Sequence, residues 1–145
     1  MFAELLARLT GHTPEKPLPE LDARLAVGAL LVRIAKTDQH YAFEEIVQID
    51  KILASRFDLN PVEAARMRAD CERLASAAPD SSEFTAMVHN AVPYSERAAL
   101  LDALWQVSLA DRALKPEEEA FLGRIAGALG IAEGDATGIA NRHKI

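Results

Sequence analysis

Two groups of acidic side chains stand at matching places in this sequence. Asp38 is followed by Glu44 and Glu45, and Asp111 by Glu117 and Glu118. Carboxylates grouped this way can act as hard oxygen ligands for a cation such as Ca²⁺ or Mg²⁺. They can equally serve the backbone, because Asp in a turn bonds its own chain two residues on and Glu in a first helical turn is favoured by the macrodipole. Repetition sets these groups apart. A shift of about 73 positions places Leu31 on Leu104, Ile34 on Val107, Asp38 on Asp111, Glu44 on Glu117, Glu45 on Glu118, Ile49 on Leu122 and Ile52 on Ile125. The shared pattern is an apolar helix, an Asp, a short turn, a Glu and a second apolar helix. Each Asp closes a buried helix, where the carbonyl end of the dipole disfavours negative charge by about 0.3–1 kcal/mol. An acid placed there twice calls for compensation, and a cation between two facing hairpins would relieve the repulsion of gathered carboxylates. The spacing therefore implies a cation-dependent gain in stability. Neither copy carries the D-x-[DN]-x-[DN]-G series of an EF-hand.

The elements that must position these acids are all helical. Phe2, Leu5, Leu6 and Leu9 recur at helical spacing and predict a short amphipathic helix ended near Gly11, after which Pro14, Pro17 and Pro19 force an extended connector. From Leu21 to Ala35 the chain is apolar almost all round, as a helix buried on most sides requires. Phe43, Ile46, Ile49 and Leu53 form the apolar stripe of the next helix, ending near Phe57. Asn60, Pro61 and Glu63 supply an N-cap, a first-turn proline and an acid at the third position, and Ala64, Met67, Cys71, Leu74 and Ala78 follow as a stripe. Asp80 with Glu83 repeats the capping pattern ahead of Phe84, Met87, Val88 and Ala91, and Pro93 breaks that helix. Residues 95–110 form a second buried helix, and Pro116 opens another whose inward positions are Phe121, Leu122, Ile125 and Leu129, with Gly130 as its natural stop. A last helix runs from Ala132 to about Asn141, leaving a basic tail, Arg142 to Lys144. No strand alternation is sustained anywhere, so the fold class is all-α, a compact single-domain bundle of about seven to eight helices.

Composition narrows the function classes. A chain of 145 residues, half of them apolar, has the size of one domain with one core. A net charge of -6 and a pI of about 5.2 argue against a nucleic-acid surface and suit cations or basic partners. One cysteine, Cys71, cannot close an internal disulfide, which fits a reducing, cytoplasmic setting. The longest apolar run, Leu25 to Val32, falls far short of the roughly 20 residues of a membrane span, so no direct membrane insertion is expected. His12, His40, His89 and His143 show no metal-ligand spacing, and only His40 lies in one of the repeated turns. No G-x-S-x-G and no glycine-rich phosphate loop occur, Cys71 falls on a core stripe, and Trp105 on an apolar helix reads as core. A catalytic trio cannot be assembled, so the expectation is a protein that is not an enzyme. Arg66, Arg68 and Arg73 read as the wet side of their helix.

The run LADRAL from Leu109 to Leu114, Glu118, the later ALGI from Ala128 to Ile131 and the diverged earlier copy together resemble the tellurite-resistance protein B (TerB)-like family, over roughly Leu21 to Ile131. The resemblance implies a domain over residues 20–145 with two pseudo-symmetric hairpins, repeats at about 25–57 and 98–130, preceded by the amphipathic helix and connector of residues 1–19. It implies a divalent cation, Ca²⁺ or Mg²⁺, as cofactor, held at the positions matching Asp38, Glu45, Asp111 and Glu118. It implies bacterial tellurite or chemical-stress resistance, with partners among stress-response or membrane-associated protein complexes and a second copy of the chain as a further candidate. Family turns often read Asp-Gly, whereas Gln39 follows Asp38 here and Arg112 follows Asp111. The alternative reading is a metal-free adaptor that binds protein partners through the helix from Phe2 to Leu9 and an apolar groove between helices.

Overall fold

The computed structural model describes residues 17–37, 41–111 and 114–144. The expected helix from Phe2 to Leu9, and with it Asp38, His40 and Arg112, lie outside these residues. Seven helices and no strand occur among the described residues: α1 Ala23–Ala35, α2 Phe43–Phe57, α3 Pro61–Ala77, α4 Ser82–Ala91, α5 Tyr94–Ser108, α6 Pro116–Ala128 and α7 Glu133–His143. The all-α class follows, as the hydrophobic periods require. None of these helices is long and apolar enough to cross a membrane.

Helix α1 is the axis of the core. The Asp22 carboxylate accepts the Leu25 N–H at 2.8 Å and starts the helix, and Ala26 to Val32, Ile34 and Ala35 are all buried. Its neighbours are α3, α4 and α5 on the broad sides, with α2 and α6 completing the enclosure. Leu30, Leu31 and Ile34 are fully buried, each contributing about 1.5–3 kcal/mol relative to exposure. Gly28 sets how closely α3 approaches: a Cβ there would lie 2.2 Å from Cys71 Sγ, so only a residue without a side chain fits at this crossing.

Helix ends follow local chemistry. Asn60 Oδ1 accepts the Glu63 N–H at 2.8 Å and Glu63 Oε1 accepts the Asn60 N–H at 3.0 Å, the reciprocal pair expected at the start of α3. On α3, Ala64, Met67, Cys71 and Leu74 are buried, while Arg68 reaches back to Asp50 of α2 at 2.6 Å and along its own helix to Glu72 at 3.1 Å. The start of α4 differs from the expected Asp80–Glu83 pair. Asp80 Oδ1 instead accepts the Ser82 N–H at 2.9 Å and the Ser82 hydroxyl at 2.6 Å, because a short carboxylate reaches the amide two residues on. At the end of α6, Gly130 has φ of 71°, and Ile131 and Gly130 donate to the carbonyls of Ala126 and Gly127 at 3.0 and 3.1 Å.

The C-terminal helix runs two residues further than the sequence pattern implied. Its basic end is fastened to α5: His143 Nε2 lies 2.8 Å from Asp102 Oδ1, and the His143 ring stacks parallel to Trp105 with centroids 6.0 Å apart. Trp105 is 4 % exposed, the core position its apolar helix predicted.

Candidate functional site

The acids of the sequence pattern sit where α1 turns into α2 and where α5 turns into α6. Glu45 is the third residue of α2, and its Oε1 accepts the Ala42 N–H at 2.9 Å. Glu118 is the third residue of α6, and its Oε1 accepts the Lys115 N–H at 3.3 Å. Their exposures are 2 % and 1 %, and they are the buried acids among the described residues. Helical phase separates them from their neighbours, since Glu44 and Glu117 one position earlier are exposed. Asp111 lies just past the end of α5, with Oδ2 at 3.6 Å from Lys115 Nζ. Asp38 falls outside the described residues.

The equivalence set by the offset of about 73 extends to burial. Leu31 and Leu104, Ile34 and Val107, and Ile49 and Leu122 are each no more than 2 % exposed. It extends also to contacts between hairpins. Gln48 Nε2 donates to Gln106 Oε1 at 3.3 Å, joining the first half of α2 to the late turns of α5. Arg33 and Phe121 line a common cleft, which sets the late turns of α1 beside the first half of α6. Under the offset Gln48 exchanges with Phe121 and Gln106 with Arg33, so the two pairings are counterparts. The first half of α2 therefore lies beside the end of α5, and the end of α1 beside the first half of α6. Among the described residues, no three His, Cys, Asp or Glu side chains stand close enough together to hold a metal ion.

Side chains at these corners differ in part from expectation. Phe43, placed by its spacing on the inward stripe of α2, is 73 % exposed. The inward position in that first turn belongs to Glu45, so the aromatic ring is left facing solvent. Tyr41, just ahead of α2, was not marked by the sequence pattern. Its hydroxyl is buried with no hydrogen-bond partner among the described residues, and its ring carries Lys36 Nζ at 5.0 Å from the centroid. Burial first, and the nearby Glu72 carboxylate second, push the ionisation of this hydroxyl above the usual tyrosine range. Arg68 and Arg73, expected on a wet face, are engaged with Asp50 and Glu72 and with Asp70 and the Pro17 carbonyl. Cys71 is fully buried, and that burial pushes its thiol up to about 12, which removes it from nucleophilic chemistry.

The donor set of the corners, carboxylate oxygens on rigid helix starts, is of the kind hard divalent cations prefer. At the second corner the Lys115 ammonium already lies beside Asp111, so an added cation would compete with it.

The family model described as Tellurite resistance protein TerB matches residues 24–141, from the first turn of α1 into the last turn of α7. No curated protein and no solved structure matches the chain.

Proposed function

The chain belongs to the tellurite resistance protein TerB family, and from that premise we propose that it is a non-enzymatic domain that binds a divalent cation at its acidic corners and acts in chemical-stress resistance. Asp38, Glu45, Asp111 and Glu118 are the carboxylate donors, and Ca²⁺ or Mg²⁺ is the ion. The observation that carries this reading is the burial of Glu45 and Glu118 at equivalent positions of two hairpins. Capping alone does not require it. Glu63 makes the same bond to its own N-cap amide at 3.0 Å while remaining exposed, so the molecule caps a helix without excluding the carboxylate from water. Removing a carboxylate from water costs free energy unless opposite charge or hydrogen bonds compensate, and a site for a cation gives that cost a purpose. When bound, the ion would supply the positive charge that lets several carboxylates stand together. The chain's own contribution is orientation: each buried glutamate is held by one oxygen on a helix-start amide, and Asp111 is held by Lys115.

A thermal-shift titration with Ca²⁺, Mg²⁺ and Mn²⁺ tests this. The melting temperature should rise with at least one ion, and the Asp38→Asn/Asp111→Asn variant should lose the rise. An unchanged melting temperature with all three ions, or an equal rise in the variant, rejects the cation reading.

A second reading, the metal-free adaptor, draws on the 73 % exposure of Phe43 and on an open hollow of about 490 Å³ formed by Leu114, Pro116, Glu119 and Ala120. Apolar groups beside acidic helix starts suit a protein partner. Partners co-purified from cells with the full chain and with a chain lacking residues 1–19 separate the contributions of the N-terminal segment and the corners: unchanged partners exclude the former.

A further inference from the structure

Beside the α1–α2 corner, a cleft between α1, the α3–α4 turn and α6 has two lobes whose walls share Arg33 and Phe121. One lobe, about 320 Å³, is lined by Asp80, Ser82, Thr85 and Arg124, and the other, about 370 Å³, by Lys36, Thr37 and Ser76. Arg33 and Arg124 line one lobe and Arg33 and Lys36 the other, in a chain whose net charge is -6. Arg33, Lys36 and Arg124 stand in no ion pair with a described carboxylate, a state they share with Arg24, Lys51, Arg56, Arg66 and Arg97; what sets the three apart is that they line the same cleft. Arg33 is directed by its Nη1 to the carbonyls of Ala75 and Ala78 at 2.9 and 3.3 Å, which fixes the guanidinium at the junction of the lobes without neutralising its charge. Lys36 rests over the Tyr41 ring, a contact that also leaves its charge in place. The acid of the lining, Asp80, accepts from the Ser82 amide and hydroxyl and lies near enough to Arg33 for the two charges to interact.

We propose that this cleft binds a small organic anion carrying two negative charges, with one anionic end held by Arg33 and Arg124, the other by Arg33 and Lys36, and the body of the molecule resting on Phe121. Each lobe lies at the lower end of the size range of small-molecule sites, which admits a metabolite-sized ligand rather than a folded partner. The hydroxyls of Ser82, Thr85, Thr37 and Ser76 add neutral donors beside the cations. Phosphate esters and dicarboxylates share this chemistry. The site is separate from the cation reading of the corners and stands without it.

The test is an amide NMR titration of the full chain in chelator, so that cation binding plays no part, with adenosine 5′-monophosphate, succinate, inorganic phosphate and uncharged adenosine as probes. Adenosine monophosphate or succinate should shift the amides of residues 80–85 and 121–128, and whichever does so identifies the phosphate-ester or the dicarboxylate source; adenosine should not. Lys36 and Arg124 are exposed, so the Lys36→Glu and Arg124→Glu variants keep the fold and should each weaken binding by about tenfold or more. Absence of shifts up to about 10 mM, far weaker than the millimolar binding such a site should reach, overturns the proposal. So do shifts produced by inorganic phosphate alone, by adenosine as strongly as by its monophosphate, or equally in both variants.

Discussion

The crossing of α1 and α3 at Gly28 gives the sharpest stability prediction. Replacing Gly28 with Ala would place a Cβ 2.2 Å from Cys71 Sγ, 3.3 Å from Cys71 Cβ and 3.5 Å from Leu53 Cδ2. Carbon atoms in favourable contact lie about 3.5–4.0 Å apart, so the sulfur would have to move by more than about 1 Å. It has little room to do so, since Cys71 is fully buried with Sγ at 3.6 Å from the Leu25 carbonyl. Overpacking of this kind costs about 1–3 kcal/mol, and the better helix propensity of Ala offsets about 1 kcal/mol of it. The expected net loss is about 0–2 kcal/mol, seen as a lower urea midpoint at unchanged slope. In a Cys71→Ala background the sulfur is gone and only the 3.3 Å approach of the two Cβ atoms remains, which a few tenths of an ångström of relaxation relieves. Gly28→Ala should then be neutral or stabilising by up to about 1 kcal/mol, giving a coupling of about 1–3 kcal/mol in a double-mutant cycle. Equal costs in the two backgrounds would refute the claim that the sulfur contact dictates glycine here.

Three further outcomes follow from the same contacts. Asn60→Ala removes the 2.8 Å cap of α3 and should cost about 1 kcal/mol by urea unfolding, while Asn60→Gly should cost only a few tenths. The Cys71 thiol should resist alkylation at pH 8 in the native protein and react once denaturant is added; labelling at equal rates in both states would contradict its burial. With its ionisation raised from 9.0 to about 12, the folded state favours the neutral thiol, so this contribution is intact below pH 9 and is lost as pH rises from there toward 12. Over that window the wild-type urea midpoint should fall more steeply than that of Cys71→Ala; parallel curves would show that the thiol has no part in it.

What could be read from the sequence was local or periodic. Asn60, Pro61 and Glu63 announce the start of α3 because a cap is made by residues within one turn of each other. The span from Leu21 announces the central helix because only a position enclosed on most sides accepts apolar residues all round. The repeated spacing picked out Glu45 and Glu118 among many acids, although the pattern alone did not separate them from Glu44 and Glu117. Elsewhere periodicity misled: Phe43 has the right spacing for the core, yet Glu45 takes the inward place, and no local rule ranks a capping carboxylate above an aromatic ring. The junction of Arg33 with Phe121, the pairing of Gln48 with Gln106 and the seating of His143 on Asp102 join residues tens of positions apart. Such contacts are fixed by how helices pack and leave no trace in the composition of either segment.

Trp105 is the single tryptophan of the chain, and the ring of His143 lies parallel to it with the Lys144 ammonium 5.7 Å from its centroid. Indole emission in this protein therefore originates beside the seat of the C-terminal helix and nowhere else. Release of α7 would bring water to the indole and move a neighbouring imidazole away, changing both colour and intensity while α1 to α4 stay folded. The molecule carries a built-in optical gauge of one helix's attachment, readable without any added label.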